Sequence, residues 1–183
     1  LRQDLQLLRT SIEKSGVVPS RGPDAVPLSR LVKALKPGGL LAPVCEWDPY
    51  SLGSTRSNYG NAESYGERDT YVPRTANDFD ARLRDAMKPG RLVLVEGGSM
   101  VGKSRSVFEA ASATWGDAVV VQPRDGERLS EILRGEWPEL ADRRWLLWLD
   151  EIDRYLIGTQ TIAGDIEALL AGTDSVLALA TVR

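Results

Sequence analysis

The rhythm of hydrophobic and polar positions changes along this chain. From Tyr71 onward, apolar runs of strand length alternate with stretches whose apolar residues recur every three or four positions. The pattern predicts strands at 91–96, 118–121, 144–150 and 175–181, and helices at 78–87, 103–114, 128–135 and 162–171. The first of these helices ends at Lys88-Pro89-Gly90, where proline removes a backbone donor and glycine accepts the turn. Short β-rich runs, each followed by a helix, imply a parallel sheet covered on both faces, with Leu92-Val93-Leu94-Val95 as one of its buried strands.

Upstream the rhythm is weaker. Leu1, Leu5, Leu8 and Ile12 recur at helical spacing and stop at Gly16; Leu28, Leu31, Val32 and Leu35 do the same and stop at Pro37-Gly38-Gly39. Both read as short packing helices, the first being too short to establish a coiled-coil heptad. Residues 51–66 hold almost no aliphatic side chain and read as loop, with the spacing of Tyr59, Tyr65 and Tyr71 a chance regularity. Seven of the ten prolines lie at or before Pro73, so composition divides the chain into an extension with short helices over 1–70 and an α/β core over 71–183.

Composition then removes whole classes of chemistry. The 183 residues carry 42% hydrophobic and 27% charged side chains and a net charge of −3, as expected of a globular chain that buries a core. There is no histidine, which excludes Ser-His-Asp and Cys-His catalysis and histidine-held zinc. A lone Cys45 forms no internal disulfide, so a reducing cytoplasmic setting is the expectation. Mild acidity argues against a protein that neutralises nucleic-acid backbones, and no apolar run approaches a membrane span. The first residue is Leu1 rather than Met, and the chain reads as a piece of something longer.

The remaining chemistry concentrates in two places. Gly97-Gly98-Ser99-Met100-Val101-Gly102-Lys103-Ser104 fits G-x-x-x-x-G-K-[ST] between a strand and a helix. Glycines let successive N–H groups curl toward phosphate oxygens, and the helix adds its positive N-terminal end. Lys103 is placed to reach the β- and γ-phosphates, and the Ser104 hydroxyl to ligate Mg²⁺. The apolar run Trp145 to Leu149 ends in Asp150-Glu151, at the strand end where ligands of open α/β sheets bind. Alone, two acids there read as a helix cap; beside the phosphate loop they read as a carboxylate holding Mg²⁺ through water and a base for the attacking water. Asp153 reads as a solvated helix acid, and Trp145 and Trp148, on opposite strand faces, as core.

Together with the strand ending Ala180-Thr181-Val182-Arg183, these residues resemble the STAND class of P-loop NTPases. Trp47 to Gly53, Tyr71-Val72-Pro73-Arg74, and Gly102-Lys103-Ser104-Arg105 leading to Phe108-Glu109-Ala110 are similar to bacterial STAND-like proteins with long multidomain chains. The resemblance implies a three-layer α/β/α core with a parallel sheet ordered 5-1-4-3-2, reached here only as far as its fourth strand. It implies ATP or ADP with Mg²⁺ as ligands, and Glu151, Lys103 and Arg183 as catalytic or γ-phosphate-sensing groups, with Val182 departing from the family's Thr-Thr-Arg. Asp150 and Ser104 would support the metal, residues 97–105 the phosphates, and Tyr71 and Arg74 the nucleotide base. The implied partners are a lid and sensor domains further along the same chain and nucleotide-dependent oligomers, in a signalling or defence ATPase that hydrolyses slowly. Strand 91–96 would be an open edge, and the N-terminal segment is expected to cover it. A small-molecule phosphotransferase and a non-hydrolysing scaffold module are the alternatives.

Overall fold

The computed structural model describes residues 26–56, 70–156 and 162–183; the helical stripe at 1–12 and most of the 51–66 loop lie outside them. Strands β1 (Arg91–Glu96), β2 (Val119–Val121), β3 (Trp145–Leu149) and β4 (Val176–Val182) form one all-parallel sheet in the order β1-β4-β3-β2. The register sets Val93 beside Leu179 and Leu147 beside Ala178. Alternation of side chains sorts the sheet into two cores. Val93, Val95, Leu146, Trp148, Leu177 and Leu179 face one side, and Val119, Val121, Leu147, Leu149, Ala178 and Ala180 the other. Every residue of β3 is buried, as a central parallel strand requires.

Six helices are described: α1 (Leu28–Leu31), α2 (Phe79–Ala86), α3 (Lys103–Thr114), α4 (Gly126–Arg134), α5 (Asp153–Leu156) and α6 (Ile162–Leu170). Helices α2 and α3 cover the first face with Leu83, Val107, Phe108 and Ala111. The second face lies under α1, α4 and α6, through Leu28, Leu129, Ile132 and Ile166.

Four expectations are corrected here. The helix expected to reach Leu35 ends at Leu31, because Val32 turns extended, bridges Pro123, and hands the next N–H, that of Lys33, to Gln122 O. Helix α4 starts two residues early, where the Asp125 carboxylate accepts the Arg128 N–H at 2.9 Å. Strand β1 is buried on one face only: Leu92 and Leu94 are 43% and 52% exposed, so the sheet is not covered on both faces at this edge.

The last correction concerns the N-terminal segment, whose described part covers the opposite edge. Pro43 bridges Val119 antiparallel, the Val44 N–H bonds Ala118 O, and the Val120 N–H bonds Ala42 O. A proline has no N–H to offer a ladder, so its place outside the sheet's last strand is the one it tolerates. Ala42, Val44, Trp47 and Leu52 join the first core, while Leu28, Leu31 and Val32 join the second. The compositional break near residue 73 is therefore not a break in packing. No helix among the described residues is long and apolar enough to cross a membrane.

Candidate functional site

At the carboxyl ends of β1, β3 and β4 lies a cleft of about 590 Å³. The loop from Gly97 to Gly102 joins β1 to α3 and forms one wall. Its backbone enters the left-handed region at Met100 (φ 59°) and Gly102 (φ 81°), which curls the chain before α3 begins. The Lys103 ammonium lies back over the loop, donating to Gly97 O and Gly98 O, each at 2.7 Å. Ser99, Met100 and Val101 expose their side chains at the mouth.

Asp150 follows the last residue of β3 and meets Ser104 from the first turn of α3. The Ser104 hydroxyl donates to Asp150 Oδ1 at 2.6 Å, and the hydroxyl of buried Thr181 donates to the same oxygen at 3.0 Å. Thr181 Oγ1 also accepts the Glu151 N–H at 2.8 Å. One buried hydroxyl on β4 thus fixes both acids, with Glu151 on a left-handed turn of φ 54°. That turn needs a stabilising partner, because a side chain at positive φ is strained.

The Glu151 carboxylate is engaged on both oxygens, by Arg183 at 2.8 Å and by Arg154. The hydrogen bond and charge of Glu151 push the Arg183 guanidinium above its ordinary value. Arg105 pairs with Glu109 at 2.7 Å and lies 5.8 Å from the centre of the Tyr71 ring.

The segment before α2 is tied to the loop through Asp80, which is buried. The Tyr71 hydroxyl donates to the Asp80 carboxylate at 2.9 Å and reaches Ser106 Oγ at 3.1 Å; the Arg74 N–H donates to Asp80 Oδ2 at 2.8 Å. Burial, reinforced by Asp80, raises the Tyr71 phenol above its usual value, so this hydroxyl stays a donor. Tyr71 lines the cleft, whereas the Arg74 guanidinium bonds Val101 O and braces the loop from outside.

The structure therefore gathers Tyr71, the loop through Arg105, Asp150, Glu151 and Arg183 around one cleft, with Arg74 behind it. Sequence reasoning missed Arg154, Asp80 and the stretch Gly53 to Arg56, which also lines the cleft. Arg154 sits three residues after Glu151, a helical spacing that was available as a signal. Nothing local marks Asp80 or Ser54 to Arg56, while Gly53 ends the Trp47–Gly53 stretch that carries part of the resemblance. Four cationic side chains (Arg56, Lys103, Arg105, Arg183) and two carboxylates line the cleft, an excess of positive charge that suits an anionic ligand.

The donors also fit a magnesium ion. Among the described residues no three Asp, Glu or Cys side chains converge as a metal cage. One carboxylate beside one hydroxyl is the protein share Mg²⁺ takes when phosphates and water complete its shell.

Compared with family models, with curated proteins and with solved structures, the chain matches none of them. The architecture stands at the level of its class: an α/β protein with a four-stranded all-parallel sheet and six described helices, compatible with Rossmann-like and P-loop folds.

Proposed function

We propose that the chain is the nucleotide-binding core of a P-loop ATPase of the STAND type. In this reading it binds ATP or ADP with Mg²⁺, hydrolyses slowly, and acts as a switch within a larger signalling or defence protein. One observation carries the reading: Ser104 of the Gly97–Ser104 loop and Asp150 of the next strand but one meet at 2.6 Å across the sheet. That junction pairs the two groups which such an enzyme uses on its metal, although 46 positions separate them in the chain. The β1-β4-β3-β2 order agrees with the arrangement the resemblance implies.

In this reading the loop's backbone and Lys103 hold the phosphates, and Ser104 and Asp150 would hold Mg²⁺. Bound Mg²⁺ would offset charge on the phosphate oxygens. Glu151 takes a proton from water, and Arg183 reads the terminal phosphate. Tyr71 borders the place left for the base. Titration of a fluorescent ATP analogue with Mg²⁺ tests this: Lys103→Ala should weaken binding by about tenfold or more, the loss expected of one charge-assisted contact. Equal affinity for both proteins would remove the proposal.

A second reading, a module that binds nucleotide without turning it over, is favoured by one feature: both Glu151 oxygens are paired with arginines. Multiple-turnover phosphate release separates the two. Turnover abolished by Glu151→Gln with binding retained supports the enzyme; no turnover in the wild type supports the module.

A further inference from the structure

The stretch Asp48 to Gly53 is not needed to build a phosphate loop, yet it ends against the proposed metal carboxylate. Asp48 accepts the Tyr50 N–H at 2.8 Å and starts a 3₁₀ turn over Pro49–Leu52. Leu52 is fully buried, and its carbonyl accepts the indole N–H of buried Trp148 at 2.8 Å. Trp148 lies on β3 two residues before Asp150, so the turn is fastened to the strand that carries the acid. The next residue, Gly53, has φ 109° and ψ −4°, and its Cα faces the Asp150 side chain.

A Cβ at this position would fall 2.6 Å from Asp150 Cγ and 3.2 Å from its Cβ, and would overlap Oδ2 outright. A distant flexible tip could swing aside. Here the clash reaches back to Cβ of a short side chain whose other oxygen is held by Ser104 and Thr181. A side chain at 53 therefore requires the carboxylate or the turn to shift.

We propose that Gly53 is a positioning residue for Asp150: its bare Cα forms the wall that keeps the carboxylate aimed at Ser104, and the Asp48–Gly53 turn thereby belongs to the metal-binding half of the site. The inference rests on the Mg²⁺-nucleotide reading for its role, and on the contact alone for its geometry. The upstream segment is then mechanically joined to the site.

The test is a double-mutant cycle in the full chain of Gly53→Ala, Asp150→Ala and both together. The first readout is the gain in affinity for a fluorescent ATP analogue on replacing EDTA with Mg²⁺. Gly53→Ala should cut that gain by about tenfold, the scale of losing a supporting group at a metal site. In the Asp150→Ala background Gly53→Ala should leave that gain unchanged.

The second readout, denaturant unfolding without nucleotide, cancels the backbone strain that alanine suffers at φ 109°, since that strain is common to both backgrounds. A Gly53→Ala penalty that shrinks in the Asp150→Ala background upholds the contact, and so does a Gly53→Ala chain that folds only with Asp150→Ala added. Equal penalties in both backgrounds, or an undiminished Mg²⁺ gain in Gly53→Ala, overturn the proposal. A wild type that binds no nucleotide removes the ATP reading and leaves the unfolding cycle to decide the contact.

Discussion

At the scale of single residues, the site is organised by a hydroxyl rather than by a charge. Thr181 is buried, donates to Asp150 Oδ1 and accepts the Glu151 N–H, so one atom orients two acids that succeed each other in sequence. Thr181→Val keeps the volume and removes both bonds. The half-buried Glu151 N–H then loses its acceptor, at a cost of at most about 1–3 kcal/mol. Urea denaturation should register that loss; an unchanged midpoint would show that water or another group serves as well. Arg154 makes the opposite case. It is 68% exposed, and its pairing with Glu151 is worth at most about 1 kcal/mol. Arg154→Ala should leave stability nearly unchanged while freeing one Glu151 oxygen. If Glu151 is the base, phosphate release should rise by up to about fivefold, the rate equivalent of that energy. A fall in release would mean that Arg154 contributes to turnover instead.

At the scale of elements, what was legible in the sequence was whatever a short window contains. The 91–96 strand and the 103–114 helix were read with the bounds they have, because a two-residue or 3.6-residue period needs no partner to be visible. Helix α5 was not read, since four residues carry no period. Its anchor is Tyr155, buried against the second face with its hydroxyl 3.3 Å from Pro123 O. Burial, with the nearby charge of Asp150, pushes the Tyr155 phenol up to about 12. In the unfolded chain the phenol ionises near its ordinary value of about 10. The stability it contributes is therefore complete below pH 10 and is lost as pH rises through 12. Two pKa units set a scale on the order of 2–3 kcal/mol. Unfolding free energies of wild type and Tyr155→Phe should converge across that window, and parallel curves would show the phenol to be no more buried than in the unfolded chain.

Strand β1 carries the complementary lesson: its apolar residues were legible, their exposure was not. Leu92 and Leu94 stand on the second face at an edge that its helices leave half-open, while Val93 and Val95 enter the first core. Leu94→Lys should alter unfolding stability by no more than about 0.5 kcal/mol, as at an ordinary surface position, whereas Val93→Ala should cost roughly 1–3 kcal/mol. Comparable losses from both substitutions would mean that Leu94 is covered in solution.

At the scale of the whole molecule, composition and packing draw different boundaries. Proline and polar content mark residues before 73 as an extension, and composition holds no information about which face such a segment will join. The contacts that decide it are long-range: Leu52 O to the Trp148 indole spans 96 positions, and Pro43 reaches Val119 at the far edge of the sheet. Leu28, Leu31, Val32, Val44 and Leu52 are each no more than 1% exposed. Burial of one such side chain contributes roughly 1.5–3 kcal/mol, so losing several exceeds the roughly 5–15 kcal/mol by which a domain is stable. Removing them also bares β2, whose three valines are buried by their neighbours on all sides, and leaves the Val120 N–H without the Ala42 carbonyl. A chain begun at Thr70, although it keeps every strand and the whole Gly97–Ser104 loop, should therefore lack a cooperative unfolding transition in circular dichroism. The full chain should show one. A truncated chain that melts as sharply as the full chain, at a similar temperature, would mean that the sheet closes without its N-terminal cover, and that the compositional boundary was the physical one after all.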